Sequence, residues 1–149
     1  MELSEKSAGA VVFRVAEDGS LLYLLLLPAE SKPWGFPKGK MQLYECELDT
    51  AKREIREEAD LHDLTFYTDF RESVIYSFNR GQHTVTKEVV YFIAKADKGT
   101  PSISREHIRC RWTTLDEAMK LVVHENTIRI LQLADEYIKT KLLDMSGNK

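Results

Sequence analysis

Only two cysteines, Cys46 and Cys110, occur in 149 residues. They form no CxxC or Cys/His spacing, so neither a disulfide framework nor a zinc site is indicated. A reduced, cytoplasmic setting is the simplest expectation. Long apolar runs are also missing. The strongest, "LLYLLLLP" at Leu21–Pro28, is far too short to span a bilayer and reads as a buried strand. The opening "MELSEKSAGA" lacks the apolar stretch of a secretory signal, and no membrane partner is expected. Excess positive charge is absent too. Lys and Arg number 21 against 24 Asp and Glu, a net charge of −3, which leaves no basic field for nucleic acid. Repeats, low-complexity tracts and linkers are lacking, and the length suits a single domain over residues 1–149.

What remains is an ordinary globular composition with clear local patterns. "SAGAVVFRV" (Ser7–Val15) is rich in β-branched residues and reads as a strand. Asp18-Gly19 suits a tight turn into the partner strand "LLYLLLL". From Pro28 to Tyr44 the pattern is irregular, with three prolines and two glycines, and segments of that length in compact domains are usually functional. Leu48, Ala51, Ile55 and Ala59 recur at steps of three and four, which predicts a helix over 46–59. "LTFYTDF", "SVIYSF", "TVTKEVVYFIAKA" and "IRCRWTT" read as strands, the middle pair joined by a turn at "NRGQ". Thr114 with Glu117 is a capping-box signal for a helix over 115–122. A last helix over 126–143 buries Ile128, Leu131, Ala134, Tyr137, Ile138 and Leu142, and "DMSGNK" reads as a frayed tail. Strands interleaved with three helices predict an α+β fold, a mixed sheet flanked by helices.

The helix over 46–59 carries an oddity. Glu54, Glu57 and Glu58 crowd into five positions, although like charges at helical spacing repel. Residues three and four apart share a helix face. That face lies about 100° round from the apolar stripe, which places the acids at the edge of a groove. Oxygen donors so placed suit a hard divalent cation such as Mg²⁺, and Arg53 is positioned to hold one carboxylate. A solvated face paired with Lys52, Arg53 and Arg56 is the alternative reading of "REIREE" alone.

The surrounding residues extend the pattern to G-x5-E-x7-R-E-I-x-E-E-x-D-L, from Gly39 through Glu45 to Leu61. This resembles the Nudix box, in which an aliphatic residue stands at Ile55 and Leu61 and a glycine at position 60. Eight of the nine defined positions match; Asp60 is the departure. The opening strand, "WGFPKG" and "REHIRCRWTTLDEAMKL" resemble Nudix proteins as well, so the likeness runs over most of the chain. It implies an α/β/α sandwich and metal-dependent hydrolysis of a nucleoside diphosphate linked to another moiety, with Mg²⁺ or Mn²⁺. Carried over by the motif, Glu54, Glu57 and Glu58 are the metal-binding and catalytic acids, Arg53 orients a glutamate, and the Gly39 carbonyl is a metal ligand. Asp60 should cap the helix in a left-handed conformation less cheaply than glycine. Leu43-Tyr44 stands where the family commonly has Pro-Gly.

"WGFPKGK", "KEVVYFIAKA" and "SREHIRCRW" resemble the diadenosine tetraphosphate hydrolase branch of that family. The likeness implies Glu106 as a further acid near the metals, Lys87 as a phosphate contact and Tyr91 as an adenine-stacking ring. Lys38 and Lys40 flank the glycine within reach of phosphates, and the same likeness implies His124 as a contact to a second base. The expected partner is therefore a small nucleotide. Two alternatives stay open: a Nudix pyrophosphatase for nucleoside triphosphates or nucleotide sugars, and a non-catalytic nucleotide-binding sensor.

Overall fold

The computed structural model describes residues 2–29, 32–99 and 109–143. Among these residues six strands form one mixed sheet: β1 (Glu2–Val15), β2 (Leu21–Leu27), β3 (Lys38–Lys40), β4 (Leu64–Arg80), β5 (His83–Ala96) and β6 (Arg109–Thr113). Their order is β4-β5-β1-β2-β6, with β3 paired to β1 off that path. The β1–β5 pair is parallel, and the other pairs are antiparallel. Helix α1 (Glu47–Ala59) lies between β3 and β4 in sequence, and α2 (Leu115–Leu121) and α3 (Glu125–Tyr137) follow β6.

Strand alternation divides the core between two faces. Ala8, Ala10 and Val12 of β1 join Val90, Phe92 and Ala94 of β5 under Ala51, Ile55 and Ala59 of α1. Val11 and Phe13 point the other way, into a cluster with Tyr91, Ile93, Ile130, Leu131 and Ala134. With both faces covered, the central strands are nearly continuous apolar runs, as burial on two sides requires. The helical stripe expected over 46–59 is the one that packs, with Cys46 as N-cap. The box at Thr114 and Glu117 opens α2 as expected.

Three elements differ from the sequence expectations. The irregular segment after Pro28 contains β3, which pairs Lys38 with Gly9 and Lys40 with Ser7. Gly9 permits this approach, because a Cβ there would collide with the Pro37 carbonyl oxygen and Lys38. "LTFYTDF" and "SVIYSF" are one strand, β4, interrupted by a register shift between Tyr67 and Glu72. Extra residues at such a bulge bend the strand, and here Phe70 turns into the core against Tyr137, ring centroids 5.6 Å apart. The last helix changes to a π-helical turn at Ile138–Leu143. Of its expected stripe Leu131, Ala134 and Ile138 are buried and Ile128, Tyr137 and Leu142 half-buried, while Ile130 and Asp135 join the buried set, the latter accepting a hydrogen bond from the Tyr23 hydroxyl at 2.5 Å. The expected frayed tail lies outside the described residues.

Candidate active site

Helix α1 presents its acids beside the short strand β3. Glu54 and Glu58, one turn apart, are 8% and 5% exposed, whereas Glu57 is exposed. The three do not share one environment, as a single acid face would suggest. Glu58 is pushed up to about 9, first by burial and then by the hydrogen bond and negative charge of Glu54. The Lys38 backbone N–H donates to Glu58 Oε1 at 3.3 Å. Gly39 closes the pair from the sheet side, since a Cβ there would collide with the Glu54 carboxyl group.

Arg53 ties the box together. Its Nε donates to Glu45 Oε2 at 2.6 Å and its Nη2 to Glu45 Oε1 at 3.0 Å. Nη1 reaches Glu54 at 2.7 Å and Glu57 at 2.9 Å, and Nη2 also bonds the Lys40 carbonyl at 2.9 Å. Glu45 in turn accepts from the Thr50 hydroxyl and the Gln42 N–H. The Arg53 guanidinium and these bonds hold the Glu45 carboxyl down at about 2. Glu45 was legible as a defined box position, but its part as the anchor of Arg53 was not.

Of the three acids, Glu58 borders a cleft of about 760 Å³ on the α3 side of the sheet, lined also by Trp34, Phe36, Lys38, Tyr91 and His124. Lys38 is lowered by burial first and by the nearby charge of Lys87 second. Lys40 is exposed and pairs with Glu5 at 3.3 Å. Tyr91 is only 7% exposed and packs edge-on against Phe36, centroids 5.6 Å apart, so it presents little of its ring to the cleft. Burial raises its phenol well above the usual range. His124 is the exposed N-cap of α3 at the cleft rim. Tyr76, which also lines the cleft and is 40% exposed, was not singled out from sequence. Its signal was the alternation of Val74 and Tyr76 opposite Val89 and Lys87. Glu106 lies outside the described residues.

Among the described residues no group of three or more His, Cys, Asp or Glu is gathered to hold a metal ion. Glu57 is turned outward onto Arg53, which leaves Glu54 and Glu58 as the close pair. The donor set nevertheless fits a hard cation: oxygen atoms only, two adjacent buried carboxyl groups whose shared charge is costly without a cation, and a backbone held close by a glycine.

A mixed sheet between α1 and the α2–α3 pair, with the box glutamates on α1, defines a nucleotide hydrolase architecture, and the NUDIX domain profile matches residues 5–134. The chain belongs to the NUDIX family. Among its relatives, the bis(5'-nucleosyl)-tetraphosphatase [asymmetrical] of Sus scrofa is 31% identical over 143 residues, covering 89% of this chain and 95% of the relative. The protein of the same name from Caenorhabditis elegans is 33% identical, covering 78% and 83%. The crystal structure of a C. elegans Ap4A hydrolase binary complex superposes with a TM-score of 0.82 at 29% identity, covering 91% of this chain and 98% of that one. NUDIX hydrolases generally use divalent metal ions. No helix among the described residues is long and apolar enough to cross a membrane.

Proposed function

We propose that this chain is a hydrolase of dinucleoside polyphosphates, cleaving diadenosine tetraphosphate asymmetrically into ATP and AMP with Mg²⁺ or Mn²⁺. The observation that carries the reading is the nearly end-to-end similarity, 31% identity over 89% of the chain, to a protein named as an asymmetrical tetraphosphatase. The reading takes residues 1–149 as one catalytic domain working in a reduced, cytoplasmic compartment.

In this proposal Glu54, Glu58, Glu57 and the Gly39 carbonyl hold the cation, with Glu106 as a further acid. When bound, the cation polarises a phosphoryl oxygen and offsets the charge that would otherwise repel a polyphosphate. The remaining work belongs to the chain. Arg53, anchored on Glu45, fixes the rotamers of Glu54 and Glu57. Glu57, on the exposed side of the network, takes the proton of the attacking water, with Glu54 alongside. Lys38, Lys40 and Lys87 position the phosphates, which is most of what phosphoryl transfer asks of a protein. Tyr91 meets one base and His124 the other.

A substrate panel with Mg²⁺ tests the proposal: diadenosine tetraphosphate, nucleoside triphosphates and nucleotide sugars, with products identified by chromatography. Preferred turnover of the dinucleotide to ATP and AMP is expected. Brisk hydrolysis of a nucleotide sugar beside an untouched dinucleotide would overturn the substrate, and tight binding without turnover would favour a sensor.

A further inference from the structure

Ser7 lies on β1 with 1% of its surface exposed, and its Oγ has no hydrogen-bond partner among the described residues. Buried hydroxyls are almost always paired, and an orphan loses its hydration without return. A small apolar residue such as alanine would fill the place of Ser7 with no such loss.

The register fixes which way Ser7 faces. Residues paired across strands share a face. Ser7 pairs with Lys40 on β3 and with Val89 on β5, and Gly9 pairs with Lys38 and Tyr91. Val89, Tyr91 and Lys38 line the cleft, so Ser7 is on the cleft side of the sheet. Glu5, two residues earlier, pairs with Lys87. Ser7 therefore has Lys40 directly across and Lys38 and Lys87 on its diagonals, within roughly 8 Å on a sheet face. The register thus sets three lysines around one buried hydroxyl donor. Of the nearby carboxyl groups, Glu5 is engaged by Arg80 at 2.9 Å and by Lys40 at 3.3 Å, and Glu58 lines the cleft beside Lys38.

We propose that Ser7 is a phosphate-binding residue, its hydroxyl donating to a non-bridging oxygen of the substrate polyphosphate gripped by Lys38, Lys40 and Lys87. The long lysine side chains turn toward the arriving anion and open the hydroxyl to it. The inference rests on the dinucleoside polyphosphate reading and adds to it a recognition group that the box motif does not contain.

The test compares the parent with Ser7→Ala and Ser7→Thr, first by thermal unfolding without nucleotide and then by calorimetric titration with inorganic tripolyphosphate. Ser7→Ala should unfold at a higher temperature, because it removes the orphan, yet bind tripolyphosphate about tenfold more weakly, the scale of one hydrogen bond to a charged group. Ser7→Thr, which keeps the hydroxyl, should bind within about threefold of the parent, and with diadenosine tetraphosphate Ser7→Ala should raise KM while kcat stays near the parent value. Equal tripolyphosphate affinity in parent and Ser7→Ala, or no binding by the parent, would overturn the proposal. Failure of the substrate reading appears separately, as tripolyphosphate binding that depends on Ser7 in a protein that does not turn over the dinucleotide.

Discussion

Arg53 and Glu45 are locked by two parallel hydrogen bonds, at 2.6 and 3.0 Å, with the same guanidinium reaching Glu54 and Glu57. A planar fork makes that many directed bonds; an ammonium on a flexible stem does not. Arg53→Lys keeps the charge and loses the geometry. It is expected to lower kcat about 10²-fold, the scale of a misplaced catalytic group, while circular dichroism stays native. Activity within about threefold of the parent would mean that Arg53 serves stability alone.

Glu57 is exposed while Glu54 and Glu58 are buried. Glu57→Gln therefore removes charge without disturbing packing. Stability should change by less than about 0.5 kcal/mol, as for most surface changes, and turnover should fall about 10²-fold or more. Denaturant midpoints and turnover measured on the same preparation separate the two effects.

Among the described residues, two other than glycine hold left-handed backbone: Tyr44 at φ 69° and Asp60 at φ 55°. Asp60 ends α1, where its N–H donates to the Arg56 carbonyl, and among the described residues its side chain makes an exposed contact to His62 at 2.8 Å. Exposed ion pairs contribute little. Asp60→Gly and Tyr44→Gly should each stabilise the protein by about 0.5–1 kcal/mol, read from urea midpoints. A destabilised Asp60→Gly would show that the His62 contact outweighs the backbone relief.

Legibility followed periodicity. Helix α1 was readable because its apolar stripe and its acids both obey helical spacing, and α2 because Thr114 and Glu117 stand at capping distance. Strand β3 was hidden because "KGK" has no alternating apolar pattern; its pairing is imposed by a glycine thirty residues away, Gly9. The split reading of β4 had a similar cause, since the bulge after Tyr67 breaks the period of two. Within the site the box named the acids, yet burial separated Glu54 and Glu58 from Glu57, and spacing carries no such information. Ser7 and Tyr76 depend on cross-strand register, which a single strand's pattern cannot reveal.

Glu47 opens α1 and joins it to the sheet through Arg71 at 2.7 Å and Lys6 at 2.5 Å. The Arg71 hydrogen bond, followed by that of Lys6 after the opposing effect of burial, holds the Glu47 carboxyl down at about 2 against an ordinary 4.5. A carboxyl lowered on folding contributes stability fully above its unfolded value and loses it as pH falls through the folded one. The thermal midpoint of the parent should thus decline more steeply than that of Glu47→Gln between pH 4.5 and about 2, and the gap between them should close at the acid end. Parallel curves would show that solvent screens the pair.

Tyr91 decides how the substrate reading fares. Its ring is buried edge-on against Phe36, so it contributes a wall of the cleft more than an open stacking face. Tyr91→Ala would confound recognition with a cavity costing about 3–5 kcal/mol, and Tyr91→Leu keeps apolar volume while removing the ring. Stacking of a base on an aromatic ring is worth about 1–3 kcal/mol in nucleic-acid sites, and an edge contact belongs at the low end. Tyr91→Leu should therefore raise KM for diadenosine tetraphosphate about fivefold to tenfold, with kcat within about threefold, because the base is held equally in ground and transition states. The products should remain ATP and AMP, since the proposed site assigns the position of cleavage to the acids of α1 and the three lysines. Chromatography of products formed in ¹⁸O-labelled water gives both the cleavage position and the phosphate that receives the oxygen. ADP as the sole product would overturn asymmetric cleavage for parent and variant alike. An unchanged KM would remove Tyr91 from base recognition and leave that task to the more exposed Tyr76.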